Sequence, residues 1–217
     1  MTPIELEFKL RLDRLIRELM HIESKVELLF HINKRKADRL DQLNIAPAFF
    51  GLVIDSLQSD TIISLSRIYD RDPNSSTLFD LLQFVEANLE IFTPESLQSR
   101  DPNGLKFWQA ERQITQEVID KQRREIESFI DILHNLRLRR NKRYAHFDKQ
   151  YAYEPLKLNE DAPLTFADFR KLISVAKSIA DSYLFAFDNS SRSWQPTNLF
   201  DIDKVLEILY KYQKQFD

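Results

Sequence analysis

The chain has 217 residues, a net charge of −3 and no cysteine. That length can bury a full core. The slight acidity restricts any polyanion contact to a local patch, and the missing thiols exclude disulfides, thiolate metal sites and cysteine nucleophiles. Only 2 glycines are present, too few for a dinucleotide fingerprint or a Walker-type loop. The lack of cysteine fits a reducing cytosol, the first thirty residues show no signal peptide, and no uncharged apolar run reaches the roughly 18–20 residues of a bilayer span. A cytoplasmic location and no membrane partner are therefore expected.

Taken in chain order, the pattern is helical almost throughout. Pro3 suits a first helical turn, and Phe8, Leu12, Leu15, Leu19, Ile22, Val26 and Leu29 recur at three- and four-residue steps, one apolar stripe on a long helix. A break is expected near Asn44–Pro47, because proline disfavours helix in the residue before it. A second helix runs through Phe50, Val53, Ile54, Leu57, Ile62, Leu65 and Ile68 and ends at the polar turn Asp70-Arg71-Asp72-Pro73-Asn74. A third helix, roughly 77–91, is capped from Ser75 or Ser76. Pro94 and the stretch Ser99–Gly104 read as loop. A fourth helical segment extends from about Leu105 to at least Arg143, with Ile114, Val118, Ile126, Phe129, Ile130, Leu133 and Leu136 as apolar positions.

From Asp148 to Pro163 the periodicity breaks up. Thr165-Phe166-Ala167-Asp168 resembles a capping box, opening a helix through Leu172, Val175, Ile179 and Leu184. An irregular stretch over Asn189–Asn198 precedes a terminal helix at about 201–215. Strand-like alternation is nearly absent, and there is no internal repeat. The expectation is an all-α fold, one domain over 1–217 built as a bundle of five to seven helices with its core at about 10–190.

Most catalytic constellations fail on residue type or spacing. The histidines are His21, His31, His134 and His146. None stands in H-x-x-x-H or H-E-x-x-H spacing. Glu-x-x-His occurs only at Glu18–His21, on one helix where a di-metal bundle needs it on two, so no metal is expected and each reads first as a surface or core-edge histidine. No G-x-S-x-G elbow appears. In Tyr69-Asp70-Arg71-Asp72 the carboxylates serve either as turn chemistry with solvation or as anchors that orient basic residues on another helix.

The remaining feature is the run RLRRNKRYAHFDK, residues 137–149, with Arg137, Arg139, Arg140, Lys142 and Arg143 ahead of His146. Cations near a helix C-terminus interact favourably with its dipole by about 0.3–1 kcal/mol each, which accounts for a solvated helix end. Two features favour a phosphate site instead. Asn141 adds hydrogen-bonding capacity without charge, and His146 follows within two turns as a side chain able to exchange protons near neutral pH.

Arg140-Asn141-Lys142-Arg143-Tyr144-Ala145-His146 resembles the R-polar-x(4–5)-H signature of HEPN-domain proteins. Ala145 before the histidine and Phe147-Asp148 after it resemble the AbiU-type abortive-infection branch, as does Arg67-Ile68-Tyr69-Asp70 followed by Ser76-Thr77-Leu78. The similarity spans about residues 10–190, with its specific part confined to seven residues. Where some HEPN toxins carry a modified tyrosine, two residues past the histidine, this chain has Asp148.

The resemblance implies a metal-independent endoribonuclease, without cofactor, that leaves a 2′,3′-cyclic phosphate and acts in phage defence or as a toxin. His146, Arg140 and Asn141 become proton-transfer residue, phosphate clamp and orienting group. Arg139, Lys142, Arg143 and Lys149 become RNA-backbone contacts, and Asp70 an orienting carboxylate. RNA, a second copy of the chain and an antitoxin or other defence-system protein are the implied partners. On a regular helix, residues six apart stand about 240° around the axis, so Arg140 and His146 do not share a face, whereas Arg139 and His146 do. Either the helix ends or bends between them, or two subunits combine. A non-catalytic RNA-binding or protein-interaction module is the alternative.

Overall fold

The computed structural model describes residues 1–101, 113–145, 148–154, 156–196, 198 and 200–215. Its first helix, α1 (Pro3–Leu43), begins with a reciprocal cap in which the Thr2 hydroxyl accepts the Glu5 amide and the Glu5 carboxylate accepts the Thr2 amide. The apolar stripe expected along it is buried at Phe8, Leu12, Leu15, Leu19, Ile22, Val26 and Leu29. Arg39 departs from helical geometry, with φ −134° and ψ 27°, and kinks the last turn. Two long helices pack on α1: α2 (Pro47–Ile68) and α9 (Phe166–Asp188).

Between α2 and α9 lie α3 (Leu78–Ala87), a 3-10 turn (Leu89–Phe92), α4 (Pro94–Arg100), α5 (Gln116–Glu127) and α6 (Ile130–Arg139). A π-helical segment (Arg140–Ala145) follows α6, then the short α7 (Lys149–Tyr153) and α8 (Lys157–Asp161). No strand occurs among the described residues, so the fold is all-α.

Aromatic packing joins α1, the 3-10 turn and α9. Phe8 meets Phe187 at 4.8 Å and Phe92 at 5.1 Å between ring centroids, and Tyr183 closes the cluster. The Tyr183 hydroxyl donates to the Gln122 side chain at 2.7 Å, which satisfies its polar end inside the core. Close by, Arg100 on α4 lies over the Phe187 ring and reaches Glu5 at 2.5 Å, an almost fully buried ion pair that ties α4 to the start of α1.

The last helix, α10 (Asp201–Gln213), sits on the C-terminal half of α1. Asp203 accepts from His31 and from Arg35, and a small apolar cluster of Leu43, Phe50 and Leu206 lies beneath. The C-terminal half of α2 is in the core through Ile62, Leu65 and Ile68, while Phe49 and Leu52 near its start are 61% and 69% exposed. By length and composition α2 is apolar enough to cross a membrane, the one such helix among the described residues. Asp55 and Asp60 lie within it, and Asp60 pairs with Lys25 of α1.

Ten α-helices, counted among the described residues, exceed the expected five to seven, though only eight have seven or more residues. The excess comes from particular breaks. The Thr93 hydroxyl accepts the Ser96 amide and, with Pro94 in the first turn, starts a short helix where a loop is expected. The fourth segment is broken at Ser128–Phe129, and Gln113–Thr115 are not helical. The part of that segment over 102–112 lies outside the described residues. The cap of α3 is Thr77 and not Ser75 or Ser76. The capping box at Thr165 and Asp168 forms as the sequence suggests.

Candidate active site

The end of α2 and the whole of α6 frame the basic run. Tyr69 is buried at the end of α2, where its hydroxyl donates to the Leu172 carbonyl of α9 at 2.5 Å. That anchor fixes the next residue, Asp70. On the other side α6 carries Asp131 in its first turn and Arg137 and Arg139 in its last, the arrangement its dipole favours. Regular α-helix stops at Arg139, and the chain continues from Arg140 as a π-helical turn. Such turns are uncommon and frequent at functional sites. Beyond it the Asp148 amide bonds back to the Lys142 carbonyl at 3.1 Å, and the Asp148 carboxylate caps α7.

The cations of the run have different environments. Arg139 is only 6% exposed. It donates to the Ala162 carbonyl at 2.5 Å and to Asn159 Oδ1 at 3.0 Å. Burial pushes its pKa down, since a desolvated guanidinium loses hydration that one carbonyl and one amide only partly replace. In this position Arg139 is a strut from α6 to the α8–α9 connection, turned away from solvent, where the resemblance implies an RNA-backbone contact.

Arg140 is held from two sides. Its Nη1 donates to Asp70 Oδ2 at 2.9 Å and its Nε to Asn141 Oδ1 at 3.0 Å. Among the described residues Nη2 has no hydrogen-bond partner. Burial alone would raise the Asp70 pKa, but the Arg140 hydrogen bond and the Asp72 and Arg71 amides hold it below the usual carboxylate range. Asp70 is therefore an anion that orients Arg140 while its second oxygen accepts the Asp72 amide at 3.2 Å.

Lys142 is paired with Asp148 at 2.6 Å. Arg143 is exposed over the Tyr144 ring, and Lys149 is exposed at the start of α7. Neither Arg137 nor Arg143 has a carboxylate partner among the described residues. His146 lies outside the described residues. The helical arithmetic that separated it from Arg140 assumes α geometry, which ends one residue before Arg140.

A cleft of about 280 Å³ opens beside the Asp70–Arg140 pair, between the end of α2 and α6. Tyr69, Asp70 and Arg71 face Ile130, Leu133, His134, Arg137 and Arg140 across it. Periodicity did not reveal this cleft. Its signal is the His134, Arg137, Arg140 spacing, which leads along α6 towards α2. Among the described residues no three histidine, aspartate or glutamate side chains are grouped to hold a metal ion.

Arg139 and Arg140 can be separated by substitution. Arg139→Met keeps the aliphatic packing and leaves the Ala162 carbonyl without its donor. It should lower unfolding free energy by about 1–3 kcal/mol, read as a shift in urea midpoint. If the chain cleaves RNA as the resemblance implies, cleavage per folded molecule should stay at the level of the unaltered protein, and a hundredfold loss would return Arg139 to the site.

The sequence model of AbiU2, a HEPN family, matches residues 5–208. No curated protein and no solved structure matches. The matched stretch runs from the first turn of α1 into α10 and includes the Asp70–Arg140 pair and the cleft: the chain belongs to the AbiU2 family of HEPN domains.

Proposed function

We propose that this protein is a metal-independent endoribonuclease used in phage defence or as a toxin. One observation carries the reading. Arg140 is fixed by Asp70 and Asn141 with an N–H group unpaired among the described residues, at the edge of a cleft rimmed by Arg137. A preoriented guanidinium can hold a phosphodiester and stabilise charge developing on its oxygens.

In the reaction the 2′-oxygen attacks the adjacent phosphorus and its proton goes to a base. The P–O5′ bond breaks and the 5′-oxygen takes a proton from an acid. His146 is the residue suited to proton transfer near neutral pH, with Arg140 on the non-bridging oxygens. The products are a 2′,3′-cyclic phosphate and a 5′-hydroxyl, and no metal is needed. Arg143 and Lys149 attract the RNA backbone, and Lys142 does so by exchanging Asp148 for a phosphate. The acting form is a homodimer, restrained in the cell by an antitoxin or another defence-system protein.

The test is cleavage of single-stranded RNA by purified protein in EDTA, with product ends identified by mass. Cyclic phosphate termini and resistance of a 2′-deoxy substitution at the cut site support the reading. Intact RNA, or a cut at the 2′-deoxy position, overturns it. The Asp70–Arg140 and Lys142–Asp148 pairs favour one alternative, a non-catalytic RNA-binding or protein-interaction module, because both partly neutralise the patch. That module would bind RNA salt-sensitively, or a protein partner, and leave RNA uncut.

A further inference from the structure

We infer that the cleft between α2 and α6 is a nucleobase subsite, taking one unpaired RNA base beside the bond that is cut, with Arg137 on the adjoining phosphate. The inference rests on the ribonuclease reading of Arg140. Part of the wall is apolar: Ile130 is 55% exposed and Leu133 lies beside it. The rim is cationic. Arg71, Arg137 and Arg140 face one carboxylate, Asp70, which is already bonded to Arg140. Arg71 lies over the Phe79 ring and reaches Glu127 at 3.8 Å. With the Arg140 N–H unpaired among the described residues assigned to the scissile phosphate, Arg137 is the rim cation left for the adjoining one.

An apolar wall beside a cationic rim suits an occupant with an apolar body and an anionic edge, which a nucleobase with its phosphate provides. At about 280 Å³ the cleft lies near the lower end of small-ligand sites, which run to roughly 300–1,000 Å³. It accepts a single base and not a stacked duplex. Only an unpaired base can leave the RNA strand to enter it. His134, with no hydrogen-bond partner among the described residues, stands on the same wall and offers one ring nitrogen to the base edge.

The test is ligand-detected NMR on the intact protein in EDTA, with UMP, AMP, ribose 5-phosphate and inorganic phosphate as probes. Both nucleotides should bind about tenfold more tightly than ribose 5-phosphate. Arg137→Ala should weaken all the phosphorylated probes by about tenfold. Ile130→Ser should remove the difference between nucleotide and ribose phosphate. Ile130 is the exposed first residue of α6, where serine is well tolerated, so the fold survives the change.

Equal binding of nucleotide and ribose phosphate would overturn the subsite. So would a difference that survives Ile130→Ser, or displacement of UMP by polyglutamate, which would assign the cleft to an acidic protein. Binding is read without turnover. Nucleotide discrimination in a protein that leaves RNA intact would remove the ribonuclease reading and keep the subsite, and cleavage without discrimination would do the reverse.

Discussion

Replacing Arg140 with alanine should slow RNA cleavage in EDTA by about 10²–10³-fold, the loss typical of one preorganised donor to a developing oxyanion. Lysine should recover little of it. The Arg140 fork gives one donor to Asp70 and one to Asn141, which leaves the remainder for the phosphate of the proposed substrate. A lysine ammonium is a single point charge that would collapse onto Asp70 and leave the phosphate side empty.

The effect on the fold should be small. The Arg140 and Asp70 side chains are 27% and 33% exposed, and ion pairs this close to solvent contribute about 0–1 kcal/mol. Single-turnover rates beside urea midpoints separate the two effects, and a wild-type rate in Arg140→Ala would remove this residue from the mechanism. The sign of the pH dependence follows from the depressed Asp70 pKa. The pair is complete above the ordinary carboxylate range and is lost as pH falls through the lower folded value. An activity change between pH 5 and 8 therefore reports an imidazole and not Asp70.

The sequence shows some parts of this arrangement and hides others, each for a physical reason. The stripe on α1 and the capping box at Thr165 are local patterns, and both form as expected. The break at Ser128–Phe129 is hidden because Ile126, Phe129, Ile130 and Leu133 keep helical spacing across it, yet Ile126 is buried and Ile130 is more than half exposed. Thr93-Pro94 carried a legible signal, a cap followed by a first-turn proline, that the surrounding polar residues obscured.

Arg139 could not be read from its neighbours at all. A run of cations looks solvated, and the carbonyl that draws this one inward belongs to Ala162, in the connection to α9. The Asp70 turn supports both readings considered for it. One carboxylate oxygen accepts a backbone amide of the turn and the other accepts Arg140 from a different helix. The π-helical register at Arg140 is the least legible feature, since it is a change in backbone hydrogen bonding with no residue pattern of its own.

His146→Ala should lower cleavage by about 10²–10⁴-fold, the range removed with a general acid–base group. A variant that still cuts RNA at the wild-type rate would sink the histidine's role. The double variant with Arg140→Ala should be little slower than the worse single one, because both groups act on one transition state and their losses do not add. Mixing the two inactive variants decides how the site is assembled. If each site takes Arg140 from one subunit and His146 from the other, half of randomly paired dimers carry one intact composite site. Activity should then return to about a quarter of wild type, since a two-fold dimer has two such sites. If both residues act within one chain, every dimer in the mixture lacks an intact site and activity stays at the background of the single variants. The same mixture with Arg139→Met in place of Arg140→Ala should show no such recovery to measure, because the Arg139→Met partner is active from the start.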